Sequence, residues 1–509
     1  MGKKRADRGK EKAEADSGCN LDGDYISPIH DFTSLSCANV KDTVIHSRYV
    51  QILLSLTIIG LFLRLYNLGY NSLWLDEAST LTFATMSIPG IWAATTGGEF
   101  NPPLFYWIEH LMLVFGNNEI VLRFIPAILG ILTIPLVYLA GKEFLDRNTG
   151  IIAAAAVTFS PFLIFYSQDA RAYSMGLFLV VIAMIFFLRA LKTGEILPWT
   201  LFGLFSALAF WTHFYTLVIT GAMGLYALAV KIPDIKRDLT AFKPLVLAGA
   251  VFTIISLPLI IVTIQLYVKR TASAPVFGFE GMGIITETFR QLSGFSDGVM
   301  FLFVILFCIG IIQAFLIDRH KGILLLSLTL LPFAISWFLS YRIPMIPRYL
   351  IILAPVYFIG IALAYKPLCT LMKNRIVVYG FIALLVILSV TTPFFMGYYS
   401  SFSKEDWRGF SGKVSQTTQP GDLVVVSPGY MIQPFDYYYS NATDGTIELR
   451  AETGPMLEAI RQQKGNASLY LVVTWDIMAA NPEGDAIAWI NEHAELISQH
   501  TDIYFFKVS

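Results

Sequence analysis

The stretch Leu73-Trp74-Leu75-Asp76-Glu77-Ala78 places two adjacent carboxylates shortly after an apolar run, Val50 to Leu65, that is long enough to cross a bilayer. A charge at that position costs little in the headgroup layer and a great deal in hydrocarbon. An acid there can take a proton from an acceptor hydroxyl. Neighbouring residues on a helix or an extended segment point in different directions, so one carboxylate is the base and the other positions the acceptor or the backbone. Asp76 is the expected catalytic base and Glu77 its neighbour. A solvated surface pair is the plain alternative, and Trp74, the preceding apolar run and the cations below weigh against it.

Those cations are Arg123 in Leu122-Arg-Phe-Ile-Pro126, Arg171 in Tyr166-Ser-Gln-Asp-Ala-Arg-Ala-Tyr173, Lys269-Arg270, and Arg348 in Pro347-Arg-Tyr349. They fall on the side of the membrane that should be poor in positive charge. Arginines at a membrane boundary commonly snorkel to headgroups. They also suit a phosphate leaving group, because a planar guanidinium grips two oxygens and stays charged. Asp169 either pairs with Arg171 or touches the acceptor. In Asn101-Pro-Pro-Leu-Phe-Tyr106-Trp107, two prolines fix the backbone and hold Asn101 in one place, expected near Asp76. Tyr106, Tyr166 and His213 complete the positioning candidates, although a lone histidine is more often structural. No cluster has metal-ligand spacing.

The elements that must carry these groups follow from composition. The 509 residues are 55% hydrophobic and 14% charged, with a mean hydropathy of +0.61; soluble proteins carry about 25% charged residues. Such a chain is a polytopic α-helical membrane protein. Its net charge of −1 offers no nucleic-acid partner. Residues 1–48 read as a disordered, basic cytoplasmic tail with no cleavable signal. Eleven spans are expected, at 49–66, 119–141, 150–166, 173–191, 197–212, 214–231, 243–265, 298–317, 321–341, 348–366 and 375–396. The basic residues Lys142, Arg147, Lys192, Lys231, Arg319, Lys366 and Arg375 then all fall inside, with the amino terminus. The join within 197–231 is either a turn at His213-Phe214 or one long helix.

Outside the membrane, the first outer loop 67–118 should carry amphipathic helices at Ile88–Thr96 and Leu104–Phe115. The tail 397–509 reads as a small extracytoplasmic α/β domain. Its strands are expected at 423–426, 469–473 and 503–508, with a helix near 455–463. Sequons at Asn441 and Asn466 fit that side. The spacing of Cys19, Cys37, Cys308 and Cys369 suggests no disulfide framework.

Taken in order, Leu75-Asp-Glu-Ala78, Asn101-Pro-Pro-Leu-Phe-Tyr106, Leu122-Arg-Phe-Ile-Pro-Ala127, Tyr166-Ser-Gln-Asp-Ala-Arg-Ala-Tyr173, Pro347-Arg-Tyr349 and Asp406-Trp-Arg408 resemble the dolichyl-phosphate-mannose protein mannosyltransferase-like branch of the GT-C membrane glycosyltransferases. The bacterial aminoarabinose transferase belongs to the same superfamily. The resemblance spans roughly residues 50–410. It implies a GT-C membrane domain over 49–396, a multi-pass location in the cell membrane, and an extracytoplasmic active site. It also implies inverting transfer from a polyprenyl-phosphate-linked sugar donor to a protein, lipid or glycan acceptor. The family's first-loop acid maps onto Asp76. Many relatives have His or Lys where this chain has Asn101; a neutral amide cannot neutralise phosphate, so that role passes to Arg171, Lys269 or Arg348. No cofactor is implied, and an arginine-bound phosphate needs no metal in principle, although a divalent ion is compatible with the chemistry. An oligosaccharyltransferase and a lipid or polysaccharide transporter are the rival readings. The absence of a Trp-Trp-Asp signature in the tail counts against the first, and the lack of internal repeats against the second.

Overall fold

A computed structural model describes residues 18–23, 25, 27, 36–99, 101–235, 242–270, 277–401, 403–439 and 447–509. The chain divides into two compact units: residues 1–66, 95–105 and 124–397, and residues 67–94, 106–123 and 398–509.

The first unit is helical. Among the described residues seven helices are long and apolar enough to cross a membrane, and a pair, Arg147–Phe159 and Pro161–Ser167, bent by 62°, makes eight if it is one span. Ser160 caps the second half of that pair, and Pro161 can start a helix but not continue the one before it. Helices of 15 to 20 residues cover the remaining expected spans: Ile196–Thr212, Thr216–Ile235 and Ile376–Val390. The join at 197–231 is therefore a turn, with His213 as the helix C-cap. All eleven expected spans are helical, but among the described residues eight at most satisfy length and hydropathy together.

Burial sorts these helices. Residues 148–158 and 354–363 are buried all round, as befits helices enclosed by others. Lys243–Arg270 and Asp297–Ile317 expose Ile254, Leu257, Ile264, Phe301 and Leu316, an outward apolar surface that only lipid can cover. Asp297–Ile317 meets Ala354–Leu363 at Gly310, where an added Cβ would stand 1.8 Å from the Gly360 carbonyl oxygen. Small residues permit that approach. Fully buried Arg64 donates to the carbonyls of Val157 (2.9 Å) and Thr158 (3.2 Å), satisfying the end of the broken helix. Cys19 and Cys369 are joined by a disulfide across 350 residues. This corrects the reading from spacing, which cannot see cysteines brought together only by the fold.

The second unit is a three-layer α/β/α arrangement together with parts of the loop 67–118. Its sheet has the order β2-β1-β3-β5-β4, formed by β1 (Leu423–Ser427), β2 (Ile447–Arg450), β3 (Leu469–Thr474), β4 (Ala494–His500) and β5 (Ile503–Val508). β1 runs parallel to β2 and β3, whereas β5 is antiparallel to β3 and β4. Alternation along the strands makes two cores. Val424, Val426, Tyr470 and Val472 face the helices Trp407–Thr417 and Ile432–Tyr439. Val425, Leu469, Leu471 and Val473 face Gly454–Gln463 and Asp485–His493. The loop contributes the helices Leu75–Ala84, Ile88–Gly97 and Pro103–Met112 in chain order. Leu75 packs on the first core, Ser79 donates to Gln433 (2.8 Å), and the Tyr438 hydroxyl accepts from the Leu73 amide (2.8 Å).

The Asp406-Trp407-Arg408 motif holds this unit together. Asp406 caps the helix Trp407–Thr417 and accepts from Ser72 (3.1 Å) and His500 (2.7 Å). Trp407 is buried in the first core, and Arg408 pairs with Glu119. Asn466 is exposed, while Asn441 lies outside the described residues.

Candidate active site

In the second unit, Trp74 is the N-cap of the helix Leu75–Ala84, so Asp76 and Glu77 fall in its first turn. The helix dipole favours negative charge there. Successive residues point about 100° apart, and the two acids accordingly meet different surroundings. Asp76 is half-buried. Glu77 is 0% exposed and accepts from Arg123 through Nε (2.7 Å) and Nη2 (2.6 Å), a bidentate pair in which Arg123 is 1% exposed. Arg123 also donates to the carbonyls of Leu68, Asn71 and Ser72 at 2.8–2.9 Å. Lys404 reaches Glu77 (3.1 Å) and lies 5.8 Å from the centre of the Trp74 ring. Tyr106 is buried and tilts against Phe83, with ring centres 5.2 Å apart. The pair of acids is therefore divided: Glu77 is the anion of a buried ion cluster, and Asp76 stands at its edge.

Two further acids feel Asp76. Burial, then the charges of Asp476, Asp502 and Asp76, lift Glu405 to about 7 against a hydrogen bond from Trp407 (3.2 Å). Burial and Asp76 raise Asp476 as well. Glu405 thus keeps a proton in the folded chain that the unfolded chain releases above pH 4.5. Stability falls as pH rises through that window, up to about 7. Glu405→Gln is expected to flatten this decline. Melting temperatures of the two proteins at pH 5, 6, 7 and 8 check it, and parallel curves would refute the assignment.

The first unit gathers a second group. The Tyr166–Tyr173 motif links the helix Pro161–Ser167 to Tyr173–Thr193. Its Gln168 amide binds the Arg64 and Tyr66 carbonyls (3.1 and 2.8 Å), and Ser174 donates to the Tyr166 carbonyl (2.8 Å). Tyr166 stacks edge-on to Tyr173, which lies beside His213 (5.5 Å). Tyr349 closes against both His213 and Tyr215, and the Arg348 guanidinium sits 5.9 Å from the Tyr173 ring centre. Asp169 and Arg171 are buried in the same turn. Burial, then the charges of Arg171 and Arg348, press buried His213 down to about 3. His213 is therefore neutral, and the positive potential around it comes from two guanidinium groups.

Asn101, also in this unit, is buried and donates to Glu99 (3.3 Å). The side chains of Lys269 and Arg270 lie outside the described residues. Among the described residues no three His, Cys, Asp or Glu side chains are grouped to hold a metal. Sequence reasoning missed Lys404, Glu405 and Asp476. The acid-rich Lys404-Glu405-Asp406 run was the available signal for the first two.

Residues 101–262 match the family model for dolichyl-phosphate-mannose-protein mannosyltransferase. An uncharacterised protein of Aquifex aeolicus (strain VF5) is 32% identical over 114 residues, 20% of this chain and 22% of that protein. The match thus spans little more than a fifth of that relative. ArnT from Cupriavidus metallidurans in the apo state has a TM-score of 0.57 at 11% identity, over 92% of this chain and 98% of that one. With undecaprenyl phosphate bound, ArnT gives 0.51 at 11%, over 90% and 98%. The oligosaccharyltransferase AglB from Archaeoglobus fulgidus, in complex with an inhibitory peptide and a dolichol-phosphate, gives 0.51 at 15%, over 91% and 74%.

Proposed function

Because this multi-pass membrane chain has the GT-C fold of the protein-mannosyltransferase-like and aminoarabinose-transferase-like superfamily, we propose that it is an inverting glycosyltransferase using a polyprenyl-phosphate-linked sugar. Asp76 takes the proton of an acceptor hydroxyl on the extracytoplasmic side as that oxygen bonds to the anomeric carbon. The bond from that carbon to the phosphate oxygen breaks, and the polyprenyl phosphate leaves with the electron pair. Arg171 and Arg348 hold it, with Lys269 and Arg270 as further candidate cations. Arg123 and Glu77 take a positioning role, since they form a buried bidentate pair and Arg123 also binds the backbone.

The observation that carries the reading is the cationic, aromatic-walled cluster in which Arg171 and Arg348 flank a neutral His213. The relatives ArnT and AglB, solved with undecaprenyl phosphate and a dolichol-phosphate respectively, support a lipid phosphate as its ligand.

The protein in nanodiscs, given radiolabelled undecaprenyl-phosphate mannose and its glucose and N-acetylglucosamine counterparts, is expected to release undecaprenyl phosphate from one of them. Arg171→Ala and Arg348→Ala should each weaken donor binding about 10- to 100-fold, the worth of a charged hydrogen bond. Intact labelled lipid carried across the bilayer, with no free lipid phosphate, would mark a transporter and refute the transferase.

A further inference from the structure

The strand order of the small domain marks a place for a crevice that the donor chemistry leaves unused. From β1 the chain passes through the helix Ile432–Tyr439 on one face to β2, then through Gly454–Gln463 on the other face to β3, which lies on the far side of β1. The order therefore reverses between β1 and β3. Loops leaving the carboxyl ends of two such strands diverge and open a crevice, the usual ligand position in sheets of this kind. Here the loops are Pro428–Met431 and Trp475–Ile477.

The side chains at this place are unlike a sealed strand end. Thr474, on the face of the sheet that carries Val472, is 1% exposed, and its hydroxyl has no hydrogen-bond partner among the described residues. A buried hydroxyl left so costs about 1–3 kcal/mol unless a ligand satisfies it. Trp475, next in sequence, is 69% exposed. Half-buried Tyr430 donates to the Asp476 carbonyl (3.4 Å). Asp476 and Glu405 both lie within the field of Asp76.

We propose that this crevice, bounded by Tyr430, Thr474, Trp475 and Asp476, is the acceptor subsite, and that the acceptor is a neutral carbohydrate. The proposal rests on the transferase reading given above. A flat indole offers the apolar face of a pyranose a surface, while a hydroxyl, a phenol and a carboxylate beside it meet the sugar hydroxyls. Charge excludes the alternatives. Asp476, Asp502 and Asp76 all act on Glu405, and Asp76 acts on Asp476, while Lys404 pairs with Glu77. An acceptor bearing phosphate or carboxylate would be repelled, whereas a neutral hydroxyl is not. Its proton has Asp76 at hand.

Saturation-transfer NMR on the full chain in nanodiscs tests this with neutral trisaccharides of mannose, glucose, galactose and N-acetylglucosamine, and with anionic trigalacturonate. At least one neutral trisaccharide should bind and trigalacturonate should not. Trp475→Ala and Thr474→Val should weaken binding about tenfold or more, with unchanged circular dichroism. Four outcomes would overturn the proposal: binding of trigalacturonate as well, no binding of any neutral sugar, unaltered affinity in both crevice variants, or quenching of Trp475 by brominated lipids, which would make it a headgroup anchor. A protein that binds the trisaccharide yet releases no lipid phosphate from any labelled donor sinks the transferase reading and leaves the carbohydrate subsite standing.

Discussion

Asp76→Asn is expected to lower turnover of the lipid-linked sugar by about 10²–10⁴-fold, the usual worth of a positioned general base, and to leave donor binding as it was. The amide has the shape of the carboxyl group but cannot accept the acceptor's proton. It still suits the first turn of the helix Leu75–Ala84, and losing the charge there costs only about 0.3–1 kcal/mol of helix stabilisation. The bidentate pair of Glu77 with Arg123 and the Lys404 contact to Glu77 are made by the neighbouring carboxylate, so that buried cluster is expected to hold. The split is therefore between chemistry and binding: single-turnover rates should collapse while the donor dissociation constant holds. An Asp76→Asn protein that still transfers sugar would remove the base from this residue.

Much of the architecture was legible because hydrophobic length is a strong signal. Every apolar run expected to span the membrane is helical, and 423–426, 469–473 and 503–508 are strands. The failures have local causes. β2 is a four-residue edge strand with neither end buried, so its sequence carries little alternation. β4 follows directly on the helix Asp485–His493, and Ala494-Glu-Leu-Ile-Ser-Gln-His500 is as compatible with continuing that helix as with a strand. Antiparallel pairing with β5 decides it. The site divides in the same way. Asp76 could be proposed from its position after an apolar run, but the partner of Glu77 lies 46 residues away and Lys404 farther still. No spacing rule connects them. The same blindness hid the Cys19–Cys369 disulfide, and it hid Asp476, whose interest comes from the strand order and from the charge of Asp76.

Removing Arg123 should cost far more stability than removing any surface charge. Arg123→Ala is expected to destabilise the fold by about 3–5 kcal/mol, the penalty for breaking one side of a buried ion pair. Glu77 would lose its bidentate partner in a site that is 0% exposed, with Lys404 at 3.1 Å. The carbonyls of Leu68, Asn71 and Ser72 would lose their shared donor as well. Lysine is no substitute: one ammonium cannot span a carboxylate and three carbonyls as the five-donor guanidinium does, so Arg123→Lys should fall between parent and Arg123→Ala. Replacing both partners, as in Arg123→Met with Glu77→Leu, removes the stranded charge and should recover part of the loss. Melting in nanodiscs gives the order, and donor titration of Arg123→Lys separates the two roles considered for this residue. If Arg123 is a positioning group, the lysine protein melts earlier while its folded fraction binds donor normally. A lysine protein that melts like the parent but binds donor weakly would return Arg123 to the phosphate site.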